Sequence, residues 1–75
     1  MPRLPRISSR EAIRALERLG FEQSRQTGSH VVMKKQTEKG EVGCVVPLHR
    51  ELKLGTLSGI LKQAQITPDE FIECL

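Results

Sequence analysis

The sequence is poor in aromatic residues: it has two phenylalanines, Phe21 and Phe71, and no tryptophan or tyrosine. Proteins that bind single-stranded nucleic acid by base stacking need several exposed aromatic side chains. Both phenylalanines also fit positions in a hydrophobic core. The composition therefore excludes a stacking platform, and any nucleic-acid binding has to use phosphates and shape.

Cysteines and long apolar runs are also scarce. Cys44 and Cys74 form no C-x-x-C motif and no cluster at metal-ligand spacing, which argues against a disulfide framework, a structural zinc site or any other metal. Apolar runs reach only three residues, and the N-terminus MPRLPRISSR lacks the apolar segment of a signal peptide. We therefore expect a reduced, cytoplasmic, soluble protein without a cofactor and without contact with a membrane.

The chain is short, and its charge is uneven. Its 75 residues predict one domain over 1–75, with residues 1–6 as a loose leader because two prolines interrupt it. A thin core leaves room only for a shallow, open site, which suits a polymeric substrate. Residues 1–35 hold eight Lys or Arg against three Glu, whereas residues 36–75 hold four against six acidic residues. This asymmetry favours a polyanionic partner, although a merely solvated cationic surface would look the same.

A first helix is predicted from Ser8, where Ser8 and Glu11 fit a capping box, to a stop at Gly20. Its apolar positions share one face: Ala12, Ile13, Ala15, Leu16 and Leu19. Arg10, Arg14 and Arg18 share the opposite face, since steps of four residues advance only about 40° around the axis. This stripe is either a phosphate-binding face or an ordinary charged surface.

Three strands are predicted next, over 21–25, 29–35 and 42–46, with turns at 26–28 and 36–40. Alternation along the middle strand places Val31 and Met33 on one face. His30, Val32 and Lys34 then lie on the other.

Two helices are predicted at the C-terminal end. Leu54, Leu57, Ile60, Leu61 and Ala64 mark the first, for which Thr56 is the preferred cap. Thr67 to Glu70 open a last short helix that Phe71, Ile72 and Leu75 would dock. The predicted fold is α+β: an antiparallel sheet in the order α-β-β-β-α, with a short C-terminal helix, helices on one face and the His30 face open.

Several kinds of catalytic site are disfavoured. The segment 55–59 has glycines but no following Lys-Ser/Thr, so it is not the phosphate loop of an NTPase. Ser29 and His30 are neighbours on a predicted strand and should point to opposite faces, which argues against a serine nucleophile activated by His30.

Histidine acid–base chemistry remains. A histidine side chain titrates near neutral pH, and RNA supplies its own nucleophile in the 2′-hydroxyl. His30, with Lys34 and Lys35 beside it on an open basic surface, has the minimal parts for RNA cleavage, although a surface histidine is more often idle. His49 is a second acid or base, a phosphate contact or a structural turn residue. The start of the second predicted helix, near Lys53 and Thr56, is a further candidate phosphate site.

The sequence resembles a known family over nearly its whole length. The segments that carry the resemblance are REAIRALERLGFEQSRQTGSHVVMKK and VVPLHRELKLGTLSGILKQAQITPDEF. Their most specific pieces are Gly20-Phe21, Gly28-Ser29-His30, Val46-Pro47-Leu48-His49 and Gly55-Thr56-Leu57. In order and spacing these are similar to the HicA (YcfA-like) toxins of bacterial and archaeal toxin–antitoxin pairs. One departure is Gln65, where the family often has glycine.

The resemblance implies a double-stranded-RNA-binding-domain-like fold and translation-independent cleavage of mRNA. It implies that His30 is the key catalytic residue, supported by Gly28 and Ser29, and that a HicB-type antitoxin masks this surface. We therefore expect a metal-independent endoribonuclease toxin that makes no DNA contact itself. Phosphates would be positioned by Lys34, Lys35, Arg10, Arg14, Arg18, Lys53 and Thr56. The alternatives are a non-catalytic RNA-binding module of the same fold and a partner-binding domain without a nucleic-acid role.

Overall fold

The protein folds as a three-stranded antiparallel sheet with three helices, in the order α1-β1-β2-β3-α2-α3. This computed structural model describes residues 4–75. The helices α1, α2 and α3 span Ser9–Arg18, Leu54–Ala64 and Pro68–Glu73, and the strands β1, β2 and β3 span Glu22–Thr27, His30–Thr37 and Gly40–Pro47. The predicted α+β class and element order are confirmed.

Helix α1 begins and ends where its local sequence predicts. The Ser8 hydroxyl accepts from the Glu11 backbone N–H, and the Glu11 carboxylate accepts from the Ser8 backbone N–H, which completes the capping box. Gly20, just past the helix, has φ +100°, a conformation that a side chain would disfavour. Ala12, Ile13, Ala15 and Leu16 are buried, and Leu19 is partly buried against the core.

The strands are longer than predicted, and both turns are shorter. The turns contain two residues each, Gly28–Ser29 and Glu38–Lys39, so the predicted turns at 26–28 and 36–40 are wrong in extent. Backbone pairing continues through exposed polar residues, such as Thr37 opposite Gly40, that show no apolar alternation. Ser29 consequently lies in a turn and not on a strand.

The two faces of the sheet differ as the alternation predicts. Val31 pairs with Val46, and Met33 with Cys44, and these four side chains are buried on the face that the helices cover. The core is completed by residues from the helices and loops: Ile7, Ala12, Ile13, Ala15, Leu16, Phe21, Leu52, Leu57, Ile60, Leu61, Ala64 and Phe71. The opposite face carries His30 and has no covering element among residues 4–75.

Helix α2 begins two residues earlier than its predicted cap. Its N-cap is Lys53, which makes no side-chain capping bond, and Thr56 lies within the first turn. Gly55 and Gly59 weaken the helical pattern in the sequence, but burial of Leu57 and Ile60 stabilises the whole segment. The helix ends at Gln65, which has φ 58°, the left-handed conformation that glycine adopts most easily.

Helix α3 begins with a second capping box, between Thr67 and Glu70, as predicted. Hydrogen bonds from the Thr67 backbone N–H and hydroxyl lower the pKa of the Glu70 carboxyl. Phe71 is fully buried and Ile72 is half-buried. The predicted docking of Leu75 is wrong: this residue lies beyond the end of the helix at Glu73 and is 43% exposed.

The segment before α1 has no regular secondary structure in residues 4–8. Leu4 packs, partly buried, against the core, and the Ile7 carbonyl accepts from the Leu52 backbone N–H at 2.7 Å. Residues 1–3, the remainder of the predicted leader, lie outside the described residues.

Candidate functional site

His30 lies on the open face of the sheet, at the first position of the central strand. It is exposed, and it stands opposite Thr27 of β1 and Pro47 of β3. Val32 and Lys34 share its face, as the alternation predicts, while Val31 and Met33 point into the core. A polymer can therefore reach the imidazole without a cavity.

The Gly28–Ser29 turn positions the His30 ring. Gly28 has φ +52°, which glycine adopts without strain. The Ser29 Oγ lies 3.3 Å from His30 Nδ1, within hydrogen-bond distance. The prediction that these two side chains point apart is wrong, because strand alternation does not apply to a turn residue. The contact leaves Nε2 as the ring nitrogen that faces away from the serine.

Arg25 is a cation near His30 that the sequence analysis missed. It pairs with Val32, so it lies on the open face diagonally across from His30. Diagonal neighbours on a sheet have Cα atoms about 7–8 Å apart. Lys34, four residues along the same strand, is about 13 Å away at 3.3 Å per residue. Its ammonium also forms an exposed ion pair with Glu41 at 3.5 Å.

Two of the predicted phosphate-binding cations are instead bonded to backbone carbonyls. Lys35 Nζ donates to the Leu19 carbonyl at 2.7 Å and lies 5.8 Å from the centre of the Phe21 ring. Arg18 donates to the Cys74 carbonyl at 2.7 Å. Both therefore neutralise helix C-terminal carbonyls, and the structure does not place Lys35 beside His30.

The two remaining arginines of α1 line different grooves on the surface. Arg14 is exposed beside Arg18 and Glu11, in the helical layer on the far side of the sheet from His30. Arg10 lies next to His49 and Arg50. The fold does not bring these arginines together with His30, and their role in binding phosphates stays a prediction.

His49 is held against the start of α1 through its backbone. The buried Ser9 hydroxyl accepts from the His49 backbone N–H at 2.6 Å and contacts the carbonyls of Pro47 and His49. The Ser9 backbone N–H donates to the His49 carbonyl at 3.1 Å. These bonds leave the His49 side chain exposed. The segment that carries His49 is thus held by backbone hydrogen bonds, and the three predicted roles of this residue stay predictions.

Lys53 and Thr56 are exposed at the start of α2, where unpaired backbone amides lie. Lys53 shares a groove with Arg6 and Glu51. Neither residue is brought together with His30 by the contacts of the fold.

Both cysteines of the described residues are free thiols, Cys44 buried and Cys74 partly buried. Burial raises the pKa of the Cys44 thiol to about 11, so this residue stays protonated and unreactive at neutral pH. No three His, Cys, Asp or Glu side chains of the described residues are arranged to hold a metal ion. In the same residues, no helix is long and apolar enough to cross a membrane.

The fold and the site define a class of protein. It is a small α+β domain with one uncovered sheet face, which carries an exposed histidine and has basic residues nearby. A family model described as the HicA toxin of bacterial toxin–antitoxin systems matches residues 9–66 of the 75-residue chain. The chain therefore belongs to the HicA toxin family. A search of curated proteins found no match.

Proposed function

We propose that the protein is a metal-independent endoribonuclease that cleaves mRNA in the cytoplasm, with His30 as its acid–base group. The observation that carries this proposal is an exposed histidine, oriented by Ser29, on an open sheet face of a HicA-family chain. A HicB-type antitoxin that covers this face would block access of RNA to His30.

The proposed reaction is a transesterification within the RNA. His30 Nε2 accepts the proton of a 2′-hydroxyl while the 2′-oxygen attacks the adjacent phosphorus. The bond from phosphorus to the 5′-oxygen breaks, and that oxygen leaves with a proton from the imidazolium or from water. The products are a 2′,3′-cyclic phosphate and a free 5′-hydroxyl. General acid–base assistance of this kind contributes about 10²- to 10⁴-fold.

Phosphate charge at this site is offset by Arg25, the diagonal neighbour of His30. Lys34, about 13 Å along the strand on the same open face, contacts a neighbouring phosphate. The ion pair between Lys34 and Glu41 does not prevent this role, because exposed pairs contribute little stability and exchange easily for a phosphate. Arg10, Arg14, Lys53 and Thr56 remain proposed contacts for RNA beyond the cleaved bond. Lys35 and Arg18 are weaker candidates because their donors are engaged.

A non-catalytic RNA-binding module is the second candidate. It is favoured by the cross-strand neighbours of His30, Thr27 and Pro47, which supply no second acid or base. In that case His30 and Lys34 contact phosphates or 2′-hydroxyls, and bound RNA stays intact.

Incubation of the purified protein with single-stranded RNA in EDTA tests the proposal. We expect cleavage products that end in a 2′,3′-cyclic phosphate, because neither a metal nor a water nucleophile is needed. RNA with 2′-O-methyl riboses is the matched control and should remain intact. Binding without cleavage would favour the second candidate, and a requirement for Mg²⁺ or products with a 3′-hydroxyl would contradict the mechanism.

The orientation of His30 can be measured separately from activity. In the neutral imidazole, Nδ1–H donating to Ser29 Oγ leaves the Nε2 lone pair free as the base. We expect ¹⁵N chemical shifts to show this tautomer in the parent and to lose it in Ser29→Ala. The same variant should lower kcat with little change in KM. Ser29→Thr should restore both the tautomer and kcat. Ser24→Ala, an exposed serine of β1, is the control; a parent ring with its proton on Nε2 would contradict the assignment.

A further inference from the structure

A surface groove lies at the junction of α1 and the loop that follows β3. It is lined by Ser8, Ser9, Arg10, Leu48, His49 and Arg50. The groove therefore holds two arginines and a histidine, and no carboxylate lines it. We propose that it binds a backbone phosphate of the RNA strand adjacent to the one at His30, an assignment that rests on the proposed function.

The charge of this groove distinguishes it from others on the same molecule. Four further grooves in residues 4–75 each bring cations and carboxylates together. One of these grooves is lined by Glu38 and Glu70, and another by Glu22 and Glu41. The remaining two are lined by Glu51 and by Glu11. The Glu11 carboxylate bonds to Ser8 at the edge of this groove, so two arginines face one neighbouring carboxylate. The remaining excess of positive charge attracts a polyanion.

Hydrogen bonds between residues distant in sequence hold the backbone around the groove. Ser9 is the buried polar residue among residues 4–75, at 3% exposure, and its hydroxyl and backbone N–H hold the Pro47 to His49 segment. These bonds fix the backbones of Arg10 and His49 relative to one another. Preorganised groups bind a ligand with less loss of conformational entropy.

The same segment connects the groove to the candidate catalytic residue. The Leu48 backbone N–H donates to the Ser29 carbonyl at 2.7 Å, and Pro47 is the cross-strand partner of His30. The groove thus begins one residue beyond the partner of His30. An RNA strand that crosses the open face at His30 and continues past Pro47 would reach this groove next.

The chemistry of the lining residues fits a phosphodiester. A guanidinium presents forked N–H donors that match two phosphate oxygens. The Leu48 side chain, 37% exposed, offers apolar surface that a ribose or base can cover.

The test is the affinity of a single-stranded 2′-O-methyl RNA, which binds but lacks the nucleophile. We expect the double variant Arg10→Gln/Arg50→Gln to raise Kd about tenfold. The slope of log Kd against log salt should fall by about 0.7, the contribution of one phosphate contact on single-stranded nucleic acid. Arg10→Lys/Arg50→Lys should bind with intermediate affinity, since it keeps the charge and loses the forks.

Lys39→Gln/Lys62→Gln is the matched control, because it removes the same charge at exposed positions outside the groove. We expect this variant to bind with nearly the parent Kd. Equal weakening in the two double variants would show a net-charge effect and overturn the proposal. Tighter binding of a polyglutamate peptide than of RNA would also overturn it, in favour of an acidic protein segment.

A cleavage assay on unmodified RNA separates this proposal from the function on which it rests. If the parent cleaves RNA and Arg10→Gln/Arg50→Gln cleaves it with an unchanged KM, the proposal for the groove is overturned. The proposal of endoribonuclease activity then still stands. Groove-dependent binding without cleavage supports the groove and overturns the endoribonuclease. A parent that neither binds nor cleaves RNA overturns both.

Discussion

Replacement of His30 by alanine is expected to lower the rate of RNA cleavage about 10²- to 10⁴-fold, the usual contribution of a general acid–base group. His30 is an exposed ring on the open face, so its loss removes the proton acceptor for the 2′-hydroxyl without disturbing the core. Single-turnover cleavage in EDTA measures the effect. The affinity for 2′-O-methyl RNA should change far less than the cleavage rate.

Gln36→Ala is the control for this result, because Gln36 is exposed at the other end of β2 on the same face. It should cleave at nearly the parent rate. Thermal unfolding of both variants should match that of the parent. A His30→Ala protein that cleaves as fast as the parent would remove His30 from the mechanism, whereas equal loss of affinity and rate would assign it to binding.

Phe71→Ala is expected to have the largest effect on stability, about 3–5 kcal/mol of unfolding free energy. Phe71 is fully buried and anchors a helix of only six residues, Pro68–Glu73, to the core. The free energy of unfolding of a small domain is about 5–15 kcal/mol, so this loss would detach α3 or unfold the protein. Urea denaturation followed by circular dichroism measures the change.

Leu75→Ala is the matched control, since this side chain lies on the same segment and is 43% exposed. Its effect should stay within about 0.5 kcal/mol, as is usual for surface positions. Phe71→Leu should lie between the two because it leaves a smaller cavity. Comparable losses from Phe71→Ala and Leu75→Ala would contradict the packing of α3.

The features that were predictable from sequence are those with local causes. Both capping boxes, Ser8 with Glu11 and Thr67 with Glu70, involve partners three residues apart, so the spacing alone identifies them. The alternation that turns His30 outward is a property of any extended chain. The start of α2 was less predictable, because burial of its apolar side outweighs the weak propensity of Gly55.

The neighbours of His30 depended on the exact register between strands. A predicted turn at 26–28 hid the pairing of Thr27 with His30, and with it the diagonal position of Arg25. The same error placed Ser29 on a strand and separated it from the ring that it contacts. A shift of one or two residues in a turn changes every cross-strand neighbour.

By itself, the sequence determined the α+β class, the open face that bears His30 and the resemblance to HicA toxins that the family match supports. Only the tertiary structure decided which cations share a surface with that histidine. The fold bonds Lys35 and Arg18 to carbonyls at helix C-termini. Through the buried Ser9 hydroxyl it also brings Arg10 beside His49, which is 39 positions away in the sequence. The reason is physical: caps and alternation act over a few residues, whereas a surface is assembled by packing and hydrogen bonds between distant segments.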